Sequence, residues 1–230
     1  LAEDEDKQEM VRSVNTGGTR NIAEVCSKLD CKMVYLSTDY VFDGTGTDPW
    51  KPDCKEYSPL NVYGRTKLGG ELAVSELLEK YFIVRIAWVF GKSGKNFIRT
   101  MLNAGKVHDR LTVVDDQIGT PTYTYDLARL LVDMIETEKY GYYHVTNEGG
   151  YISWYDFAVE IFRQAAGMGH PEYDEDHLTV VPVTTAEYGI SKAARPFNSR
   201  LDKIKLEENG FVPLPSWKDA LARYLKELGL

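Results

Sequence analysis

Apolar positions in this chain recur with two periods that alternate along its length. From Lys7 to Leu29, residues Val11, Val14, Ile22, Val25 and Leu29 fall at helical spacing, which predicts one helix with a single apolar face. KMVYLS (32–37) is a short β-rich run of the kind that forms a buried parallel strand. A stretch without regular period extends from Thr38 to Asn61 and holds Gly44, Gly46, Pro49, Pro52 and Pro59. Loops this long inside compact domains tend to be functional. Residues 62–81 predict a helix and 82–90 a second buried strand. Strand, crossover helix and strand form a βαβ unit, and the right-handed crossover makes the two strands parallel.

The alternation continues. Residues 111–116 predict a strand, 123–137 an amphipathic helix and 140–146 a further strand. Residues 153–167 predict a helix with Ser153 as N-cap and Gly167 as C-cap, and a last helix runs from Pro215 to Leu228. No internal repeat or low-complexity tract interrupts the series. The pattern predicts the α/β class, an open sheet followed by a smaller mixed lobe.

Composition acts mainly by exclusion. With 43% hydrophobic and 27% charged residues the chain has the makeup of a soluble globular protein. No apolar run approaches the roughly 20 residues of a membrane-spanning helix. A net charge of −8 makes it a poor general binder of nucleic acid or anionic lipid, so an anionic ligand needs a local cationic pocket. Cys26, Cys31 and Cys54 are an odd, sparse set without CxxC spacing, which indicates neither a disulfide framework nor a zinc site. A reducing, cytoplasmic setting fits them. His108, His144, His170 and His177 are scattered without ligand spacing and read as structural or surface residues.

One pair of residues carries chemistry. Tyr63 and Lys67 lie four apart at the start of the predicted crossover helix and so share a face. An ammonium at about 5 Å in an effective dielectric near 20 favours a phenolate by roughly 3 kcal/mol, about two pK units. That brings a phenol into range for general acid–base work on an alcohol or ketone. The spacing recurs at Tyr188–Lys192, where Gly189 and Pro196 disfavour a helix. Tyr63 differs by its context: it comes after a strand ending in Ser37-Thr38-Asp39-Tyr40, and ligands of open α/β sheets bind beyond the carboxyl ends of strands.

At these residues the sequence resembles a family. YLSTDYVFDGTG (35–46), SPLNVYGRTKLGGE (58–71), VRIAWVFG (84–91), DQIGTPT (116–122) and RPFNSRL (195–201) occur in the order found in the dTDP-4-dehydrorhamnose reductases, extended short-chain dehydrogenase/reductases. Asn15-x-x-Gly18-Thr19-x-Asn21 is similar to the family's Asn-x-x-Gly-Thr-x-Asn segment. The resemblance implies part of a Rossmann-type doubly wound parallel sheet, with a smaller α+β substrate-binding lobe. Residues 1–90 and 118–138 fall to the NAD(P)-binding domain, and 91–117 and 139–230 to the nucleotide-sugar lobe. It also implies reduction of the C4 ketone of dTDP-4-dehydro-6-deoxy-L-mannose by NADPH or NADH, giving dTDP-L-rhamnose for cell-surface polysaccharide. Tyr63 is then the proton donor, Lys67 its electrostatic partner and a ribose ligand, and Thr38 the group that positions the substrate oxygen, with Asp39 beside it. Trp88 lies against the sugar, and Asn96, Gln117, Arg195 and Asn198 match polar substrate-lobe positions, Arg195 suited to a diphosphate. A dTDP-sugar is the implied partner, without nucleic acid or membrane, and a homodimer stays open.

Other residues read differently. Arg85, inside a buried strand, predicts a structural ion pair, and Lys92 and Lys95 solvated loop charges. Trp154, Tyr155, Phe157 and Phe162 predict helix packing. The family begins with a strand and a Gly-x-x-Gly-x-x-Gly turn that holds the dinucleotide pyrophosphate, and these 230 residues contain no such turn. The sequence opens at Leu1, which implies that about two βαβ units, on the order of 60–70 residues, precede it in the parent protein. Residues 1–230 alone are accordingly expected to bind dinucleotide poorly. PWKPDCKEY (49–57) is one residue longer than the usual family loop. Two alternatives remain: a non-catalytic relative similar to the regulatory subunit of methionine adenosyltransferase, and another nucleotide-sugar ketoreductase or 4-epimerase.

Overall fold

The first helical stretch is divided. In the computed structural model of the chain, which describes residues 2–189 and 193–230, it consists of α1 (Gln8–Arg12), a π-helical turn (Ser13–Gly18) and α2 (Thr19–Lys28). A π turn holds an extra residue and rotates the helix on its C-terminal side relative to the helix on its N-terminal side. The predicted apolar face is not buried. Val11 is buried, but Val14, Ile22, Val25 and Leu29 are 53–70% exposed. Thr19 and Ala23 are the residues that α2 buries.

The central sheet contains the predicted βαβ unit. β1 (Met33–Thr38), α3 (Val62–Leu77) and β2 (Tyr81–Ile86) are its parts, and β1 pairs parallel to β2 with Met33 opposite Tyr81 and Thr38 opposite Ile86. The strand expected over 82–90 breaks at Ala87-Trp88. Trp88 adopts φ +50, which interrupts the ladder, and β3 (Val89–Phe90) resumes in a different sheet. Next come α4 (Phe97–Gly105), β4 (Arg110–Val114), β5 (Ile118–Gly119), β6 (Thr122–Tyr123) and α5 (Thr124–Ile135). β7 (Gly141–His144) then pairs parallel with β2, placing Arg85 opposite His144. Residues 141–144 thus extend the central sheet.

After β7 come β8 (Ile152–Ser153), α6 (Trp154–Gly167), β9 (Thr179–Val183), α7 (Thr185–Tyr188), α8 (Ile204–Glu208) and α9 (Trp217–Glu227), of which α8 sets Leu206 into the core under the central sheet. β4 pairs parallel with β9, β5 antiparallel with β8, and β3 parallel with β6. Ser153 caps α6 in a reciprocal box with Asp156, as predicted. Gly167 is still helical, and the chain turns at Gly169 with φ +99. Of the second Tyr-x-x-x-Lys, Tyr188 ends α7 and Lys192 lies outside the described residues.

Separate cores stabilise the two parts. Phe82, Val84, Leu127, Met134 and Tyr143 pack under the sheet. Phe90, Ile98, Phe157, Ile161, Trp217 and Leu221 form a second cluster among α4, α6 and α9. Arg85 forms the expected ion pair. Its Nε and Nη2 donate to Oε1 and Oε2 of Glu71 at 2.8 and 2.7 Å, and both side chains are inaccessible to solvent. Nη1 donates to the Pro52 carbonyl at 3.1 Å, tying the long loop to the sheet. Among the described residues no helix is long and apolar enough to cross a membrane.

Candidate active site

Thr38 ends β1 and caps a short 3-10 turn, Asp39–Val41, in which its Oγ1 accepts from the Tyr40 N–H at 3.2 Å. The same hydroxyl donates to Asp39 Oδ1 at 2.8 Å. Asn61 caps α3 by accepting from the Gly64 N–H at 2.8 Å, and its Nδ2 donates to the Ala194 carbonyl at 2.9 Å. The segment before Arg195 is thereby pinned to the start of α3. Gly64 is required here because a Cβ would lie 2.2 Å from the Tyr40 carbonyl oxygen. That close approach brings the first turn of α3 onto the end of β1, where the Tyr63 and Tyr40 rings meet edge-on with centroids 5.9 Å apart.

These contacts enclose a cavity of about 450 Å³ lined by Thr38, Asp39, Tyr63, Lys67, Trp88 and Arg195, among others. Six residues nominated from sequence therefore converge. The left-handed backbone at Trp88 turns its indole onto Trp154, with ring centroids 3.7 Å apart and planes 14° from parallel. Trp154 and Arg195 also line a neighbouring cavity of about 510 Å³, together with Gln117 and Thr185. Gln117 donates to Thr185 Oγ1 at 3.0 Å. Arg195 is exposed and makes no ion pair among the described residues, which leaves its guanidinium available to an anion.

Two nominated residues do not reach either cavity. Asn96 caps α4 by accepting from the Arg99 N–H at 3.0 Å and donates to the Gly91 carbonyl and the Tyr224 hydroxyl. Asn198 donates to the Thr45 and Asp48 carbonyls and accepts from Arg200. Both amides hold backbone in this structure. Trp154 is the reverse case. Its helical spacing with Phe157 predicted packing, yet at the first position of α6 it forms a wall of both cavities.

The electrostatics also depart from expectation. Partial burial, and then the Asp39 carboxylate, push the Tyr63 phenol up, opposed by the Thr38 hydroxyl. Lys67 does not supply the expected lowering, because its ammonium lies over the Tyr35 ring at 4.1 Å from the centroid. Burial lowers Lys67 to about 8, with the Glu71 charge opposing. Asp39 is raised to about 6 by burial, against the Ser199 and Thr38 hydroxyls. Its Oδ2 and the buried Ser37 Oγ make no hydrogen bond.

A nicotinamide ribose suits this wall. Lys67 Nζ has no hydrogen-bond partner among the described residues, and it shares the cavity with the unpartnered Ser37 hydroxyl. Donors without protein acceptors are what a sugar diol requires.

An open parallel sheet with a Tyr-x-x-x-Lys helix at its carboxyl edge defines the short-chain dehydrogenase/reductase class. The family model "RmlD substrate binding domain" matches residues 1–230. A dTDP-4-dehydrorhamnose reductase of Aggregatibacter actinomycetemcomitans is 40% identical over 215 residues, covering 91% of this chain and 71% of that protein. The crystal structure of a Bacillus anthracis dTDP-4-dehydrorhamnose reductase in complex with NADP is 41% identical, with a TM-score of 0.84, covering 96% of this chain and 76% of that one. An orthologous Clostridium acetobutylicum structure gives 41% identity and a TM-score of 0.88 over 98% of this chain and 76% of that one. The chain belongs to the dTDP-4-dehydrorhamnose reductase family.

Proposed function

We propose that the chain reduces the C4 ketone of dTDP-4-dehydrorhamnose to the alcohol of dTDP-L-rhamnose. The convergence of Thr38, Tyr63, Lys67, Trp88 and Arg195 on one cavity at the end of β1 carries the proposal. The bound reduced nicotinamide, NADPH or NADH, supplies the hydride. NADP in the Bacillus anthracis relative favours NADPH.

Tyr63 gives its proton to the C4 oxygen as negative charge develops there. The phenol is protonated near neutral pH, as a proton donor must be, although the upward shift makes it a weaker donor than an unperturbed phenol. Thr38 Oγ1, whose single proton lies on Asp39 Oδ1 at 2.8 Å, turns that proton to the substrate oxygen and fixes it beside Tyr63. Lys67 holds the nicotinamide ribose. Trp88, backed by Trp154, presents a flat face to the sugar, and Arg195 pairs with the diphosphate. Gln117 faces the nucleotide end in the adjoining cavity. Residues 1–90 and 118–138, together with β7, make up the dinucleotide side, and the remainder makes up the sugar-nucleotide side.

The test is NADPH oxidation by the full gene product with dTDP-4-dehydrorhamnose as acceptor. Tyr63→Phe is expected to lower turnover by about 10²–10⁴-fold with little change in folding. Unchanged turnover refutes the role of Tyr63, and no oxidation by the parent enzyme refutes the reaction.

A further inference from the structure

The end of α2 holds two cysteines in a defined relation. Asp30 has φ +52, the Asp30 N–H donates to the Ser27 carbonyl at 3.3 Å, and the Cys31 N–H donates to the Cys26 carbonyl at 3.0 Å. This pair of bonds closes a helix with a left-handed residue and sets the third residue from its end beside the second residue past it. That position normally holds an apolar contact. Here both side chains are thiols, and both are free. Cys26 is partly buried against the cluster of Ala23, Val74 and Leu78, while Cys31 is exposed. The two border one cavity of about 210 Å³ with Leu77 and Leu78. Burial, and then the neighbouring Cys31 thiol, push the Cys26 thiol up.

We propose that Cys26 and Cys31 form a reversible thiol–disulfide site whose reactant is a small disulfide such as oxidised glutathione. A disulfide needs α-carbons about 4.4–6.8 Å apart, and the 3.0 Å backbone bond between the same two residues pins them at short range. The exposed Cys31 thiolate attacks one sulfur of glutathione disulfide, forming a mixed disulfide and releasing one glutathione thiolate. Cys26 then loses its proton and attacks the Cys31 sulfur, displacing the second glutathione. One S–S bond forms in the protein and one breaks in the reagent. The protein loses two electrons and two protons, and glutathione disulfide becomes two glutathione molecules. Since α2 already ends in this geometry, closure requires no rearrangement of the helix.

The test uses the full gene product carrying Cys54→Ser, equilibrated across a series of glutathione disulfide to glutathione ratios. Free thiols are trapped by alkylation and read by peptide mass mapping. The expected result is that Cys26 and Cys31 become protected together, as one linked peptide, and return together on reduction. With Cys31→Ser added, Cys26 is expected to stay alkylatable throughout. The proposal is overturned by a persistent glutathione adduct on Cys31 with Cys26 free. It is equally overturned by a disulfide between two copies of the chain, or by two free thiols at the most oxidising ratio. These outcomes do not depend on reductase activity.

Discussion

Replacing Asp39 with asparagine removes a buried charge from the edge of the cavity while keeping the shape of the side chain. Asp39 is 3% exposed, accepts from Thr38 through Oδ1 and leaves Oδ2 unpartnered. Burial raises its carboxyl from 3.8 to about 6. A gap of about two units amounts to about 3 kcal/mol between the protonated and ionised forms. The sign comes from proton binding: the folded protein holds this proton more tightly than the unfolded chain. The resulting stabilisation is complete below the unfolded value near 3.8 and is lost as pH rises through about 6. Asparagine has no such dependence, and its amide accepts from Thr38 as the carboxylate does. Urea unfolding of parent and Asp39→Asn at about pH 4 and about pH 8 should therefore show their difference moving by about 2–3 kcal/mol in favour of the variant. Costs independent of pH, including the unpartnered amide, cancel in that comparison. Losing the carboxylate also removes a charge that pushes Tyr63 up, so the alkaline limb of the reductase pH profile should move to lower pH. Parallel stability profiles for the two proteins would refute the reasoning.

Other perturbations test the scaffold. Arg85→Met strands the inaccessible Glu71 carboxylate and should cost about 3–5 kcal/mol in urea unfolding, whereas Arg85→Met with Glu71→Leu should recover most of it; equal losses would show that the pair is not coupled. Gly70→Ala puts a Cβ 2.1 Å from the Tyr35 hydroxyl oxygen and 2.9 Å from the Asn15 carbonyl oxygen. It should destabilise the protein by about 1–3 kcal/mol, partly relieved by Tyr35→Phe, and an additive double variant would mean that the hydroxyl does not set the spacing.

Legibility in the sequence tracked how local each determinant is. β1, α3 and β2 are continuous periodic runs, and Thr38, Tyr63 and Lys67 sit at their ends, so one βαβ unit with its chemistry could be placed from pattern. Over 7–29 helical spacing located the helix but not the face it buries, since Val14, Ile22, Val25 and Leu29 are exposed while Thr19 and Ala23 are buried. Asn96 and Asn198 show a different ambiguity. An amide is suited alike to a substrate hydroxyl and to an unpaired peptide group, and the local backbone claimed both residues. Trp154 was hidden by its helical spacing with Phe157, a signal that packing and cavity walls share.

What the sequence by itself determined is the alternation of elements, the need of buried Arg85 for a carboxylate, and the Tyr-x-x-x-Lys face at a strand's carboxyl end. These arise from backbone geometry and charge burial within a few turns of chain. Only the tertiary structure decided that Glu71 is that carboxylate, that β7 completes the central sheet, and that Trp88 leaves its strand to stack on Trp154. It also decided the sign at Tyr63. The ammonium four residues away lies over Tyr35, while Asp39, buried on a different element, sets the local field. Spacing along a helix brings two side chains to one face, but which groups share a low-dielectric pocket depends on what packs over that face.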